Sequence, residues 1–198
     1  MAAERSLEER IRRVEDRAAI QELAVLYGFI MDERDETGIR QIFMENATLR
    51  SQDGVFAATG IDEIVDTYLG RFKALGPTNH YSHGHVVRFY DDDPDAAYGL
   101  IASHAEVVRN DTPMQVALRY KDEYRRVDGQ WKFYDRLMSY MYYLPISEMS
   151  EALGDRNSVR AYGDKRPADW PESLYADSGS QWLHKYLQQD AEVRESAR

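Results

Sequence analysis

Four runs with strand character follow one another between residues 80 and 143, and no other feature limits the fold as much. They cover residues 80–90, 96–109, 115–126 and 130–143, divided by Asp91-Asp92-Asp93-Pro94, Asn110-Asp111-Thr112-Pro113 and Asp128-Gly129. Short polar breaks with a proline or an Asp-Gly pair are the turns that join antiparallel neighbours. Helical periodicity dominates what precedes them. Ser6 with Glu9 forms a capping-box pattern, and behind it Leu7, Ile11, Val14, Ala18, Ile20, Leu23, Ala24, Tyr27 and Ile30 or Met31 recur at helical spacing. This predicts one long amphipathic helix or two in tandem. The charged run from Asp32 to Glu36, with Gly38, breaks the pattern, and Ile39, Ile42 and Phe43 predict a short second helix. Residues 47–60 read as a hairpin turning at Asp53-Gly54. Asp62 then caps a third helix through Ile64, Val65, Tyr68, Leu69 and Phe72, ended by Gly76-Pro77. Helices first and a meander second give an α+β fold. The helices pack on the concave face of a curved, mainly antiparallel sheet and leave a pocket beneath them.

A chain of 198 residues with 43% hydrophobic content can bury one sizeable core. We therefore expect one domain over residues 1–146 and an extension over 147–198. The extension holds an arm at 157–175, rich in Pro, Asp, Arg and Gly, and a helix at 180–192 with Trp182, Leu183, Tyr186 and Leu187 on one face. That face is expected to cover the pocket mouth or a neighbouring subunit. The net charge of -10 argues against nucleic acid and anionic membrane surfaces as partners, which leaves small molecules and other proteins. With no cysteine, disulfides, thiolate metal sites and cysteine nucleophiles are excluded. No apolar run reaches the roughly 18 to 20 residues of a membrane span, so a cytoplasmic location is expected.

Three of the five histidines, His80, His83 and His85, lie in the first strand of the meander. Imidazole titrates nearest neutrality and can exchange protons in a partly dry cavity, where a carboxylate would orient it. Asp32, at the end of the long helix, is the candidate partner. A lone histidine is more often a core residue bonded to a carbonyl. On a regular strand His83 and His85 point away from His80, toward a surface or interface. A metal reading of the three lacks a matching carboxylate, and neither metal nor cofactor is expected.

Asp16-Arg17-Ala18-Ala19-Ile20-Gln21-Glu22-Leu23, the Tyr27 to Asp32 helix end, Asn79-His80-Tyr81 and the run from Glu123 to Phe133 with Trp131-Lys132-Phe133 together carry a resemblance. Over residues 7–146 the chain resembles the SnoaL-like branch of the NTF2-like, or cystatin-like, superfamily. That resemblance implies a cone-shaped, curved mixed or antiparallel sheet. It also implies the Asp–His pair of the branch's lyases, hexachlorocyclohexane dehydrochlorinase, scytalone dehydratase and bile acid 7α-dehydratase, at Asp32 and His80. An arginine of the dehydrochlorinase falls on Arg136. Its lysine falls on Tyr27, where the bile acid enzyme has a catalytic tyrosine, so dehydration is favoured over dehalogenation. The implied activity is that of a cofactor-independent lyase on a small hydrophobic, cyclic, carbonyl-bearing alcohol, with Tyr27 and Arg136 stabilising negative charge. His104, Tyr140 and Tyr142 are expected as substrate contacts, the tyrosines alternatively as subunit contacts. A homotrimer is implied by the same resemblance. Two other readings stand beside it: an isomerase or polyketide-type cyclase with the same pair, and a non-catalytic scaffold such as the small subunit of a ring-hydroxylating dioxygenase.

Overall fold

The structure is a computed structural model that describes residues 5–171 and 179–187. A single helix, α1 (Leu7–Asp32), opens the chain, with the Ser6–Glu9 capping box closed in both directions. It is followed by α2 (Glu36–Ile42), β1 (Phe43–Ser51), β2 (Ala57–Thr59), α3 (Ile61–Phe72), β3 (Leu75–Phe89), β4 (Ala96–Arg109), β5 (Thr112–Val127) and β6 (Gln130–Pro145). The six strands form one sheet in the order β2-β1-β6-β5-β4-β3, antiparallel except where β1 runs parallel to β6. The sheet is open, with β2 and β3 as its edges, and is not closed into a barrel. Pro77 lies within edge strand β3, where a missing N–H donor is tolerated. Among the described residues no helix is long and apolar enough to cross a membrane.

Alternation along the strands separates the faces. Val116, Leu118, Tyr120, Asp122 and Tyr124 of β5 point to the buried side, as do Ala97, Gly99, Ile101, Ser103 and Ala105 of β4. Helix α1 covers this side with Ile20, Leu23, Ala24, Tyr27 and Met31. A buried carboxylate pins it there: Asp16 Oδ1 accepts from Arg126 Nη1 at 2.6 Å and from the Trp131 indole at 2.9 Å. Gly28 lets α1 approach β3 closely, since a Cβ on it would lie 3.2 Å from that of His80.

The extension completes the sheet. Strand β6 pairs with β1 only as far as Met138, so its later backbone groups would be unpaired on that side. Residues beyond Glu151 take that edge: Tyr143 N–H donates to Ser158 O at 2.9 Å, Arg160 N–H to Tyr143 O at 2.8 Å, and Asp169 N–H to Tyr140 O at 2.7 Å. Trp170 and Trp182 both lie on the face of the sheet opposite the core. Arg119 and Lys121, which alternate with the core residues of β5, sit 3.8 Å from the Trp170 ring and 4.0 Å from the Trp182 ring. Tyr186, in a final described turn α4 (His184–Leu187), is buried against Tyr98 with ring centres 5.6 Å apart. The expected helix at 180–192 lies outside the described residues beyond Leu187.

Candidate active site

The last residue of α1 meets the middle of β3. Asp32 Oδ1 lies 2.6 Å from His80 Nδ1 and accepts from the Thr78 hydroxyl at 2.7 Å, while Oδ2 accepts from the His80 backbone N–H at 3.0 Å. Thr78 and His80 share a strand face, so both reach the same carboxylate. Burial disfavours the charged form of Asp32. The ring, hydroxyl and amide donors outweigh it and hold the carboxyl below its ordinary pKa. The pair stays partly accessible, with 20% of the His80 side chain and 15% of the Asp32 side chain exposed. Since Nδ1 is engaged, Nε2 is the nitrogen left for a ligand.

His80 lines a cavity of about 60 Å³ between α1, α3 and the concave sheet. Its walls are Met31, Phe72, Leu75, Val107, Leu118 and Met138, with Tyr27, Tyr68, Tyr120, Tyr140 and Tyr143 adding phenol tips and Arg34 and Arg71 adding charge. Tyr27 and Tyr68 share a hydrogen bond of 2.9 Å between their hydroxyls. Burial raises the Tyr68 and Tyr120 hydroxyls well above the ordinary phenol value, so both are donors at neutral pH. Five residues of helix separate Tyr27 from Asp32, a rotation of about 140° on an ideal helix. Tyr27 nevertheless lines the same cavity as His80, because Asp32 stands in the last turn of α1 and its side chain leans toward β3.

Arg136 is placed differently. It is fully buried and pairs with Asp122 through two bonds, Nε to Oδ1 at 2.9 Å and Nη2 to Oδ2 at 2.7 Å. The rings of Tyr27, Tyr120 and Phe133 stack around its guanidinium at 4.0 to 4.1 Å. It does not line the cavity and lies behind two of the tyrosines that do. Its reach to a ligand is through their rings.

Tyr140 lines the cavity; His104 and Tyr142 do not. Both occupy the opposite face of the sheet, where His83 Nε2 meets His104 Nδ1 at 2.8 Å and the Tyr142 ring is 6.3 Å from that of His104. The strand parity expected for the histidines fails at one point. A bulge between Ser82 and His85 puts two residues of β3, His83 and Gly84, against one of β4, Ala102, so His83 faces out and His85 turns inward. There His85 Nε2 lies 3.1 Å from the Tyr124 hydroxyl, which donates to Asp122 at 2.9 Å. Burial, with Arg136 nearby, pushes the His85 pKa down to about 4 against the pull of Asp122. Among the described residues no group of three or more His, Cys, Asp or Glu side chains is placed to hold a metal ion. Thr78, Tyr68, Arg71 and Asp122 were not singled out from sequence. Thr78 and Asp122 had a signal, since each is polar at a position whose parity faces the core.

The SnoaL-like domain pattern matches residues 12–136, more than half of the sequence, and the chain belongs to that family. Solved structures agree in fold. A hexachlorocyclohexane dehydrochlorinase, LinA type 2, superposes with a TM-score of 0.63 at 24% identity, covering 69% of this chain and 93% of its own. A scytalone dehydratase-like protein of Novosphingobium aromaticivorans gives 0.62 at 21% identity, with 67% and 89% covered. A cystatin-like-fold protein from Nostoc punctiforme gives 0.52 at 20% identity, with 63% and 90% covered. No curated protein matches.

Proposed function

We propose that the protein is a cofactor-independent lyase of the dehydratase type, in which His80 is the general base and Asp32 orients it. The observation that carries this reading is the 2.6 Å contact between Asp32 and His80 Nδ1 at the wall of a largely apolar cavity. An Nδ1–H donated to the carboxylate leaves the Nε2 lone pair free, and the carboxylate favours the imidazolium that forms when Nε2 accepts a proton. In the proposed step a C–H bond next to a carbonyl breaks, its proton goes to Nε2, and its electron pair becomes a C=C bond. The C–O bond of the neighbouring carbon breaks, and the departing hydroxide takes the proton from the imidazolium. The substrate becomes an alkene and water, and the enzyme is restored.

A positioned base supplies about a hundred- to ten-thousand-fold, so the developing enolate needs stabilisation of its own. The Tyr27 and Tyr120 hydroxyls are the donors for it, and the Arg136 cation behind their rings favours negative charge in front of them. The cavity is smaller than the roughly 150 Å³ that admits a benzene ring. A cyclic substrate therefore requires Met31, Met138 or Arg34 to move aside. Self-association, a trimer by the family resemblance, belongs to the same reading, with the exposed Val25, Leu26 and Phe29 of α1 as its natural contact. Sedimentation would measure it.

The test is a panel of small β-hydroxy carbonyl compounds followed by the ultraviolet absorbance of the enone. Turnover by the wild type, lost at least a hundredfold in His80→Ala and Asp32→Asn while Tm moves by only a few degrees, is the expected result. Undiminished turnover in either variant defeats the assignment of the base. Unfolding of both marks the pair as structural.

A further inference from the structure

Arg71 is a second polar feature of the same cavity, and the base chemistry above makes no use of it. It lies in the last turn of α3, lines the cavity, and is half-buried. Its guanidinium sits over the Phe56 ring at 4.7 Å and against the Tyr140 hydroxyl. Among the described residues no carboxylate pairs with it. Arg40, Arg50, Arg126, Arg136 and Arg160 are each salt-bridged to an acid. Asp53, the acid whose charge is felt at Tyr140, is itself engaged by Arg166 at 3.6 Å and by the Ser51 hydroxyl at 2.5 Å. Arg34, the other arginine of the cavity, is committed: it stacks 4.5 Å over Phe72 and donates to the carbonyls of Leu75 and Gly76.

A guanidinium stays charged at every working pH and carries five N–H donors in a planar fork. Removing one from bulk water without a counter-ion is costly, and a ligand anion removes that cost. The surrounding chain makes the point stronger. The chain's net charge of -10 repels anions in general, so an arginine with no carboxylate partner in a cavity offers an anion a favourable contact that the surface as a whole does not.

We infer that Arg71, assisted by the Tyr140 hydroxyl, is a carboxylate-binding subsite, and that the substrate of the His80 site is a small, mostly apolar carboxylic acid. The acid group is held by the fork of Arg71, and the apolar body lies against Leu118, Val107 and Met138, which directs its reactive carbon to His80. A planar carboxylate fits the fork through two parallel bonds, whereas an amide or ester of the same shape brings no charge. The inference takes from the proposed function only that this cavity is where substrate binds, and it can be read without turnover.

The experiment is a fluorine NMR titration of the intact protein with 4-fluorobenzoate and, as a neutral match, 4-fluorobenzamide. The benzoate is expected to bind the wild type at least tenfold more tightly than the benzamide. Arg71→Gln removes that preference, Arg71→Lys keeps part of it, and His80→Ala leaves it intact, so loss of the base chemistry would not be mistaken for loss of the subsite. Equal binding of the two probes, no binding of benzoate to the wild type, or a preference that survives in Arg71→Gln would overturn the assignment. The probe comparison on unmutated protein decides the matter even if Arg71→Gln does not fold.

Discussion

Two aspartates on the concave side of one sheet each hold a nitrogen base, and they differ in what surrounds them. Asp122 and Arg136 have no exposed side-chain surface and are enclosed by Tyr27, Tyr120, Tyr124 and Phe133. Asp32 and His80 keep 15% and 20% of theirs at a cavity wall. The base in the first pair cannot lose its proton at any accessible pH; the base in the second is an imidazole with Nδ1 held by the carboxylate and Nε2 left to a ligand. A buried pair of fixed charge holds architecture together, and a half-buried pair with one titratable partner can move protons. Both ends of this contrast are joined by the Tyr27 ring, which stacks on Arg136 on one side and lines the cavity on the other.

Mutation should separate the pairs by readout. His80→Ala is expected to cut turnover by a hundred- to ten-thousand-fold with a small change in Tm, measured by steady-state kinetics beside calorimetry. Asp122→Ala should do the reverse in kind, lowering stability by about 3 to 5 kcal/mol because it strands a buried cation, measured by denaturant unfolding. If Asp122→Ala spares Tm and instead removes only activity, the contrast fails.

Acid should weaken the closed region first. His85 beside Asp122 has a pKa near 4 when folded and about 6.5 when unfolded. Between these values the unfolded chain binds a proton that the folded chain refuses, so stability falls as pH drops through the window from 6.5 to 4. The loss from this group totals about 3 kcal/mol and levels off below pH 4. His85→Gln should flatten Tm against pH across that window; an unchanged profile would show that the ring is not held neutral. The smallest effect is expected of Thr78→Val, which removes one of three hydrogen bonds to Asp32. At about 1 kcal/mol it should lower turnover several-fold and leave the fold intact.

Much of this was legible in the sequence because it is written in local pattern. The Ser6–Glu9 box, the helical spacing from Leu7 to Met31 and the polar breaks around the meander each act within a few residues. Asp32 and His80 were identifiable as candidates through the family resemblance, and the fold brings them within hydrogen-bonding distance. What was not legible depends on partners distant in the chain. The inward turn of His85 follows from a bulge, which only the register of β3 against β4 reveals. Arg136 follows the Trp-Lys-Phe motif in sequence, yet its distance from the cavity is decided by Asp122 and by the Tyr27 and Tyr120 rings from other elements, with Phe133 of its own strand. His104 sits one residue from the cavity-lining Ala105, and a single step on a strand is enough to put it on the other face. Arg71 reads as an ordinary basic residue at a helix C-terminus until the described residues are seen to place no acid beside it.

The proposed chemistry needs one particular tautomer of one imidazole, and nitrogen NMR of the neutral histidine rings reads it without any substrate. His80 should show a protonated Nδ1 and a bare Nε2, and Asp32→Asn should abolish that preference. A proton on Nε2 in the wild type, or a tautomer mixture indifferent to Asp32, would contradict the proposed role of the pair.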